Sequence, residues 1–128
     1  MSELGALHPA TGRCACGQLT YACAIESEVA LCACDLCRRS SGSGFQAWVN
    51  ADRARLSVSG QTASWASTTH AVRHFCAACG SPLFLFEADE PAVVEICAGS
   101  IDAPDGIKSS RHAFTQKRPA WTADKSVQ

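Results

Sequence analysis

The placement of the cysteines constrains this chain more than any other feature of its sequence. Nine cysteines occur among 128 residues, and seven of them lie in three short clusters. The clusters read CACG, CACDLC and CAACG, and they contain Cys14 and Cys16, then Cys32, Cys34 and Cys37, then Cys76 and Cys79. Such short spacings let neighbouring thiolates converge on one metal ion at about 2.3 Å each. The sequence therefore predicts metal binding through sulfur.

Two other roles for the cysteines fit the sequence less well. A disulfide framework usually has an even number of cysteines in an exported chain, whereas this chain has nine and begins MSELGALHPATGR, which does not resemble a secretory signal. A redox pair would need one CxxC motif beside a βαβ pattern, and the sequence shows no such pattern. For all-sulfur ligation in a reducing compartment we expect zinc first, ahead of iron or an iron-sulfur cluster. The expected location is the cytoplasm.

Seven thiolates predict two metal sites of different kinds. Gly17 follows Cys16 and Gly80 follows Cys79, as in zinc knuckles, where a tight turn points backbone amides at the sulfurs. The first and third clusters therefore look like two halves of one structural four-sulfur site. The CACDLC segment supplies only three thiolates, which leaves one position for water or substrate and is typical of a catalytic metal.

The rest of the sequence predicts a single domain that is mainly β. Short alternating stretches broken by Gly, Ser and Asp predict strands near residues 18–25, 45–50, 54–59, 62–67, 70–75, 83–87, 92–98 and 112–116. Only the stretch CDLCRRSSG suggests a helical turn, from Cys34 to Arg39, which the run 40–44 ends. We expect a core from about residue 12 to about residue 121, with flexible ends at 1–11 and 122–128.

The two cysteines outside the clusters are predicted to be small buried hydrophobes. Cys23 shares one face of a period-2 strand with Tyr21 and Ile25, and Cys97 ends the apolar run VVEIC.

Charge and hydropathy exclude several classes of partner. Eleven Lys and Arg stand against twelve Asp and Glu, so the formal net charge is -1 and provides no field to hold nucleic acid. No apolar run approaches the roughly eighteen residues that a membrane span requires. We expect neither nucleic acid nor membrane as a partner, and the sequence does not indicate an oligomeric state.

Several segments together resemble one known family. The runs GRCACGQLTY, CACDLCRRSSGSGFQAWV, RHFCAACGSPLF and AGSID, followed by HAF and PAW, resemble the glutathione-dependent formaldehyde-activating enzyme family, which also includes centromere protein V. The similarity covers about residues 12 to 121. One departure is Ala33, where family members often carry His. The resemblance implies a zinc-containing β-tent fold made of short antiparallel strands with one or two short helical turns.

The resemblance also implies roles for the cysteines and an activity. Cys14, Cys16, Cys76 and Cys79 would hold a structural zinc, and Cys32, Cys34 and Cys37 would hold a catalytic and more labile zinc. The family activity is that of a carbon-sulfur lyase, in which the thiol of glutathione adds reversibly to formaldehyde to give S-hydroxymethylglutathione. The substrates implied are a small thiol such as glutathione and a small aldehyde.

The substrate-binding candidates surround the central cluster. Arg39, and with less support Arg38, could hold a glutathione carboxylate, together with backbone amides of the loop that ends at Gly44. Trp48 could form a pocket wall. The alternatives are a solvated arginine face and a core tryptophan.

Two other functions are compatible with the same cysteines. A non-catalytic zinc module that binds another protein would have its second site empty or closed by a fourth protein ligand such as His74 or Asp35. A sensor would use the exposed thiolates for oxidation chemistry. His74 is otherwise expected to pack against a strand, and His112 is a weaker candidate for the pocket.

Overall fold

This computed structural model describes residues 7–114 and 118–122. Over these residues the chain forms ten short strands and one helix. The strands are β1 (His8–Arg13), β2 (Thr20–Ile25), β3 (Val29–Cys32), β4 (Gln46–Asp52), β5 (Ser57–Ser59), β6 (Thr62–Thr68), β7 (Ala71–Cys76), β8 (Pro82–Glu87), β9 (Val93–Cys97) and β10 (Ser109–Phe114). The helix is α1 (Asp35–Ser41), and short 3-10 turns occupy Arg53–Arg55, Ala98–Ser100, Pro104–Gly106 and Ala120–Thr122.

The strands form one sheet in the order β1-β2-β4-β9-β8-β7-β6. β5 pairs with β2, and β3 pairs with β4. These pairings are all antiparallel, whereas β10 pairs with β3 in parallel. The prediction of a mainly β fold with antiparallel strands and a short helix is confirmed.

The two faces of the sheet have different roles, and the register of β4 with β9 shows how. Val49 pairs with Ile96, and both side chains lie in the main apolar core with Phe84 and Tyr21. Alternate residues point the other way, because successive side chains of a strand lie on opposite faces. Trp48 therefore lies on the second face, which carries a smaller cluster of buried residues that includes Cys37.

The helix begins and ends at residues whose chemistry favours those positions. Cys34 is the N-cap, and its Sγ accepts a hydrogen bond from the Cys37 N–H. Gly42 closes the helix in the left-handed conformation, at φ 70°, which costs glycine little. The predicted helical turn is confirmed. Within the part of the chain that the structure describes, no helix has the length and hydropathy to cross a membrane.

Two strands were not predicted from the sequence. Residues 8–11 were expected to belong to a flexible end, but His8–Arg13 pairs along its whole length with β2. Gly12 is packed so closely on Tyr21 that a Cβ there would lie 2.2 Å from the ring. β3 is only four residues long and has no sequence pattern that predicts a strand. Its pairing with β4 holds it in an extended conformation.

Part of two predictions lies outside the described residues. These are residues 123–128 of the predicted flexible end 122–128, and residues 115 and 116 of the last predicted strand.

Candidate metal centres and the adjoining cleft

Two knuckle-like loops bring four cysteines together at one end of the sheet. Cys14 and Cys16 lie between β1 and β2, and Cys76 and Cys79 lie at the junction of β7 with β8. Their four Sγ atoms all lie within 4.8 Å of one another. The Sγ atoms of Cys14 and Cys16 are 3.6 Å apart, and those of Cys16 and Cys76 are 3.9 Å apart. A tetrahedral zinc with bonds of about 2.3 Å has sulfurs about 3.8 Å apart, so this group (the tetrad) fits one such ion.

Backbone amides point at the buried sulfurs of the tetrad. Cys76 Sγ accepts from the N–H groups of Ala78, at 3.4 Å, and Cys79, at 3.5 Å. Cys14 Sγ accepts from the Leu19 N–H at 3.3 Å. These donors favour the thiolate form, which is the form that binds metal. Both loops turn at a glycine with positive φ, 81° at Gly17 and 82° at Gly80, as the sequence predicted.

Ser81 links the two halves of the tetrad. Its hydroxyl lies 3.1 Å from Cys79 Sγ and accepts a hydrogen bond from the Ala15 N–H at 2.9 Å. The hydrogen bond from Ser81 is the largest cause that lowers the pKa of Cys79, to about 5. Ser81 therefore joins the two loops and favours the thiolate form of Cys79.

The three central cysteines form a second group, the triad. Cys32 ends β3, Cys34 caps α1, and Cys37 lies in its first turn. Their Sγ atoms lie within 4.8 Å of one another, and no other described His, Asp, Glu or Cys joins them within that distance. The donor set fits three of the four positions of a tetrahedral thiolate site and leaves the fourth without a protein ligand.

A cleft of about 800 Å³ opens beside the triad on the second face of the sheet. All three triad cysteines line it. Trp48 forms part of its wall, as the sequence suggested, together with Leu85. The fourth position of the triad therefore adjoins a space large enough for a small molecule.

Arg73 is the site residue that sequence reasoning missed. Its side chain is 8% exposed and donates from Nη2 to Cys37 Sγ at 3.5 Å and from Nη1 to Gln46 Oε1 at 3.1 Å. Its guanidinium lies 5.6 Å from the Trp48 ring centroid. Burial raises the pKa of Cys37 to about 11, and the hydrogen bond from Arg73 opposes that rise. One signal was available, since a cation inside the short strand AVRHFC has to face something other than the apolar core.

Glu95 is a second unexpected residue on the cleft wall. It interrupts the apolar strand VVEIC and lies two positions from Cys97, on the cleft face. Burial, followed by hydrogen bonding and charge repulsion from Glu87, raises the pKa of Glu95 to about 8. An acid inside an apolar strand was the available signal.

The other predicted substrate contacts do not reach this cleft. Arg39 is exposed on α1 and does not line it. Gly44 is buried beneath the 3-10 turn Ala120–Thr122, where a Cβ would lie 2.3 Å from Thr122 Cγ2. Arg38 is occupied by an ion pair with Asp35 and by the Ala33 carbonyl, to which its Nε donates at 3.3 Å. The suggested carboxylate contacts of Arg39 and Gly44 find no support in this placement.

Neither candidate for a fourth ligand joins the triad. The Nδ1 atom of His74 lies 3.2 Å from Thr62 Oγ1, and the ring packs edge-on against Phe86. Burial lowers the pKa of His74. Asp35 is exposed and pairs with Arg38. His112 falls in β10, where its side chain lies outside the described part of the structure.

The two lone cysteines are buried thiols, as predicted. Cys23 lies in the main core and Cys97 in the smaller cluster beside the cleft. Burial raises the pKa of Cys97 to about 12, and its Sγ accepts a hydrogen bond from Gln46 Nε2 at 3.4 Å.

Similarities to known proteins agree with this architecture. The family model described as glutathione-dependent formaldehyde-activating enzyme matches residues 9–117. A Halomonas elongata protein, provisionally named a glutathione-dependent formaldehyde-activating enzyme, is 28% identical over 121 residues, which cover 86% of this chain and 77% of the relative. The crystal structure of a Rhodobacter sphaeroides protein superposes with a TM-score of 0.63 at 20% identity, covering 72% of this chain and 87% of that chain. This structural likeness concerns the fold alone.

Proposed function

The chain belongs to the glutathione-dependent formaldehyde-activating enzyme family, and on this premise we propose that it is a zinc-dependent carbon-sulfur lyase. The reaction is the reversible addition of a thiol, glutathione or a similar compound, to a small aldehyde. One observation carries the proposal: three cysteines converge beside a cleft, and no fourth described side chain completes their site. A module that only bound a partner protein would have no use for this open position.

The two cysteine groups would hold two zinc ions with different tasks. The tetrad would hold a structural ion, because it joins two loops that lie about sixty residues apart in sequence and offers four ligands. The triad would hold the catalytic ion. When bound there, zinc supplies a Lewis acid that favours the thiolate form of a substrate thiol.

The chemistry is balanced without an oxidant or a reductant. The thiol sulfur forms a bond to the carbonyl carbon as the carbonyl π bond breaks, and the thiol proton ends on the former carbonyl oxygen. The reverse reaction breaks the same carbon-sulfur bond and returns the proton to sulfur. The chain has only to hold the two reactants in contact and to stabilise the thiolate.

Side chains around the triad would orient the reactants. Arg73 fixes the position of Cys37 and places a positive charge beside its sulfur. Trp48 and Leu85 give the cleft an apolar wall at this end, which excludes water from the reacting atoms. Cys37 is itself buried, so the triad is shielded on its protein side.

The function is tested by measuring how fast a thiol and its hydroxymethyl adduct interconvert. The zinc-loaded protein is mixed with formaldehyde and one of three thiols, which are glutathione, 2-mercaptoethanol and 6-amino-1-hexanethiol. The exchange rate is read by two-dimensional exchange NMR. We expect the protein to increase the exchange rate at least about tenfold over the protein-free mixture. A Cys23→Ala variant, changed at a core cysteine outside both clusters, should behave like the wild type. If none of these thiols exchanges faster with the protein than without it, the lyase proposal is wrong.

Replacing Arg73 by glutamine should weaken metal binding by the triad. The change removes the positive charge beside Cys37, and loss of such a supporting contact typically costs about 10- to 100-fold in metal affinity. A competition titration with a chromophoric chelator at neutral pH measures the affinity of the weaker of the two zinc sites.

Arg53→Gln is the matched control for this variant. Arg53 is exposed and stacks on Phe86, so its replacement removes the same charge without touching Cys37. Equal zinc affinities for the two variants would show that Arg73 does not support the triad.

A further inference from the structure

The charges that line the cleft are nearly all of one sign. Glu26, Glu28, Glu87 and Glu95 line it, and Arg73 is the one basic side chain among its described lining residues. Arg73 already donates to Cys37 and to Gln46. The cleft therefore offers several carboxylates to a ligand and a single cation, whose two Nη atoms already donate to Cys37 and Gln46.

Glu87 and Glu95 form the acidic centre of this lining. They lie on the neighbouring strands β8 and β9, where Leu85 pairs with Glu95. Among the described residues neither takes part in a salt bridge, and the charged groups that act on Glu95 are Glu87, Glu90 and Arg73. Two carboxyl groups this close cannot both ionise freely, so the pair favours an added positive charge.

Two buried polar atoms on the cleft wall also lack partners. Ser67 Oγ and Arg73 Nε are buried and make no hydrogen bond within the described part of the chain. Both residues line the cleft, and Arg73 is more than nine-tenths buried. A buried polar group without a partner costs free energy, which a polar ligand in the cleft would recover. Arg73 Nε–H needs an acceptor, whereas the hydroxyl of Ser67 can accept a hydrogen bond from an N–H donor, so only Ser67 supports a ligand with a charged nitrogen.

The register places the acidic pair at a distance from the triad. Trp48, beside the triad, pairs with Cys97, and Glu95 lies two residues before Cys97 on β9. Two residues of a strand span about 7 Å, so a ligand that reaches both ends needs an extended chain between its sulfur and its charged group.

We propose that the thiol substrate of this protein carries a positively charged nitrogen, which lies between Glu87 and Glu95 while its sulfur lies at the triad. The inference rests on the proposed function, because it assigns the triad end of the cleft to the thiol. Glutathione meets this requirement through its α-amino group, whereas a thiol whose only other charge is negative does not. A carboxylate at this end of the cleft would meet two glutamates, and the one cation among the described lining residues, Arg73, already donates to Cys37 and Gln46.

The test compares three thiols that differ only in the group at the far end. These are 6-amino-1-hexanethiol, 6-mercapto-1-hexanol and 6-mercaptohexanoate, and their binding to the zinc-loaded protein is measured by calorimetry at pH 7 without aldehyde. We expect the aminothiol to bind at least about tenfold more tightly than the alcohol, and the carboxylate to bind most weakly.

A double variant, Glu87→Gln with Glu95→Gln, should remove this preference. Since the raised pKa of Glu95 keeps its carboxyl largely protonated at pH 7, the double variant loses about one unit of negative charge. Asp105→Asn, at an exposed position outside the cleft, loses one unit as well and serves as the control. Only the double variant should bind the aminothiol and the alcohol equally.

Each outcome decides a separate question. If the three thiols bind with equal affinity, or the carboxylate binds best, the charge inference is wrong while the thiol site stands. If the preference persists in the double variant, the glutamate pair does not cause it. If no thiol binds although the triad is loaded with zinc, the proposed function itself fails and this inference fails with it.

Discussion

Replacement of Cys76 by serine should leave the protein largely unfolded or lower its melting temperature by at least about 10 °C. The side chain is 1% exposed, and its sulfur accepts two backbone N–H groups while facing three other cysteines. Structural zinc sites contribute on the order of 10 kcal/mol to folding in small domains, whereas a whole domain is stable by only about 5 to 15 kcal/mol. Loss of one ligand from the tetrad therefore removes much of the stability. Circular dichroism during a thermal melt measures the effect.

Cys23→Ser is the matched control for this change. Cys23 is also buried in the main core, yet it belongs to neither metal group. Its replacement inserts one hydroxyl into the core and should cost about 1 to 3 kcal/mol. If Cys76→Ser and Cys23→Ser melt at the same temperature, and a strong chelator does not lower the wild-type melting temperature, the tetrad does not hold a structural metal.

Replacement of Cys37 by serine should abolish thiol-aldehyde exchange while the fold persists. The triad would keep two sulfurs, which hold zinc weakly, and the contact from Arg73 would lose its acceptor sulfur. We expect the catalysed exchange rate to fall at least about tenfold, into the range of the protein-free reaction. The far-ultraviolet circular dichroism spectrum should remain that of the wild type, because the tetrad and the main core are unchanged.

Cys23→Ser is the control, and its exchange rate is measured in the same way. It also places a serine at a buried cysteine position, but outside the triad. That variant should retain wild-type exchange at a temperature well below its melting point. A Cys37→Ser protein that is folded and still catalyses exchange at the wild-type rate would remove the triad from the mechanism.

The sequence predicted the family, the mainly β fold and the grouping of the seven clustered cysteines, and these predictions depend on local features. Spacing within CACG and CAACG, with a glycine after each, is enough to indicate the knuckles that the structure shows at Gly17 and Gly80. The stretch CDLCRRSSG predicted a helical turn from Cys34 to Arg39, and the structure has a helix there that extends to Ser41. The zinc identity and the cytoplasmic location remain predictions from the sequence.

The residues that shape the cleft could not be predicted because they depend on strand register. Arg73 reaches Cys37 only because β7 pairs with β8, and β8 with β9, so that alternate side chains of several strands share one face. Glu95 meets Glu87 for the same reason. β1 was missed because its order comes from pairing with β2 rather than from an apolar pattern of its own. Arg39, by contrast, follows the triad closely in sequence but points away from the cleft, since α1 turns it to the surface.

A zinc count by native mass spectrometry shows whether the chain holds one closed structural metal site and one open catalytic site. Protein prepared without chelator is measured alone and with glutathione or 6-amino-1-hexanethiol, as the wild type and as Cys37→Ser. We predict two zinc ions per wild-type chain, one ion in the variant, and a thiol adduct that forms only when both ions are present. A single firmly held zinc in the wild type, with no adduct after zinc is resupplied, would contradict the account.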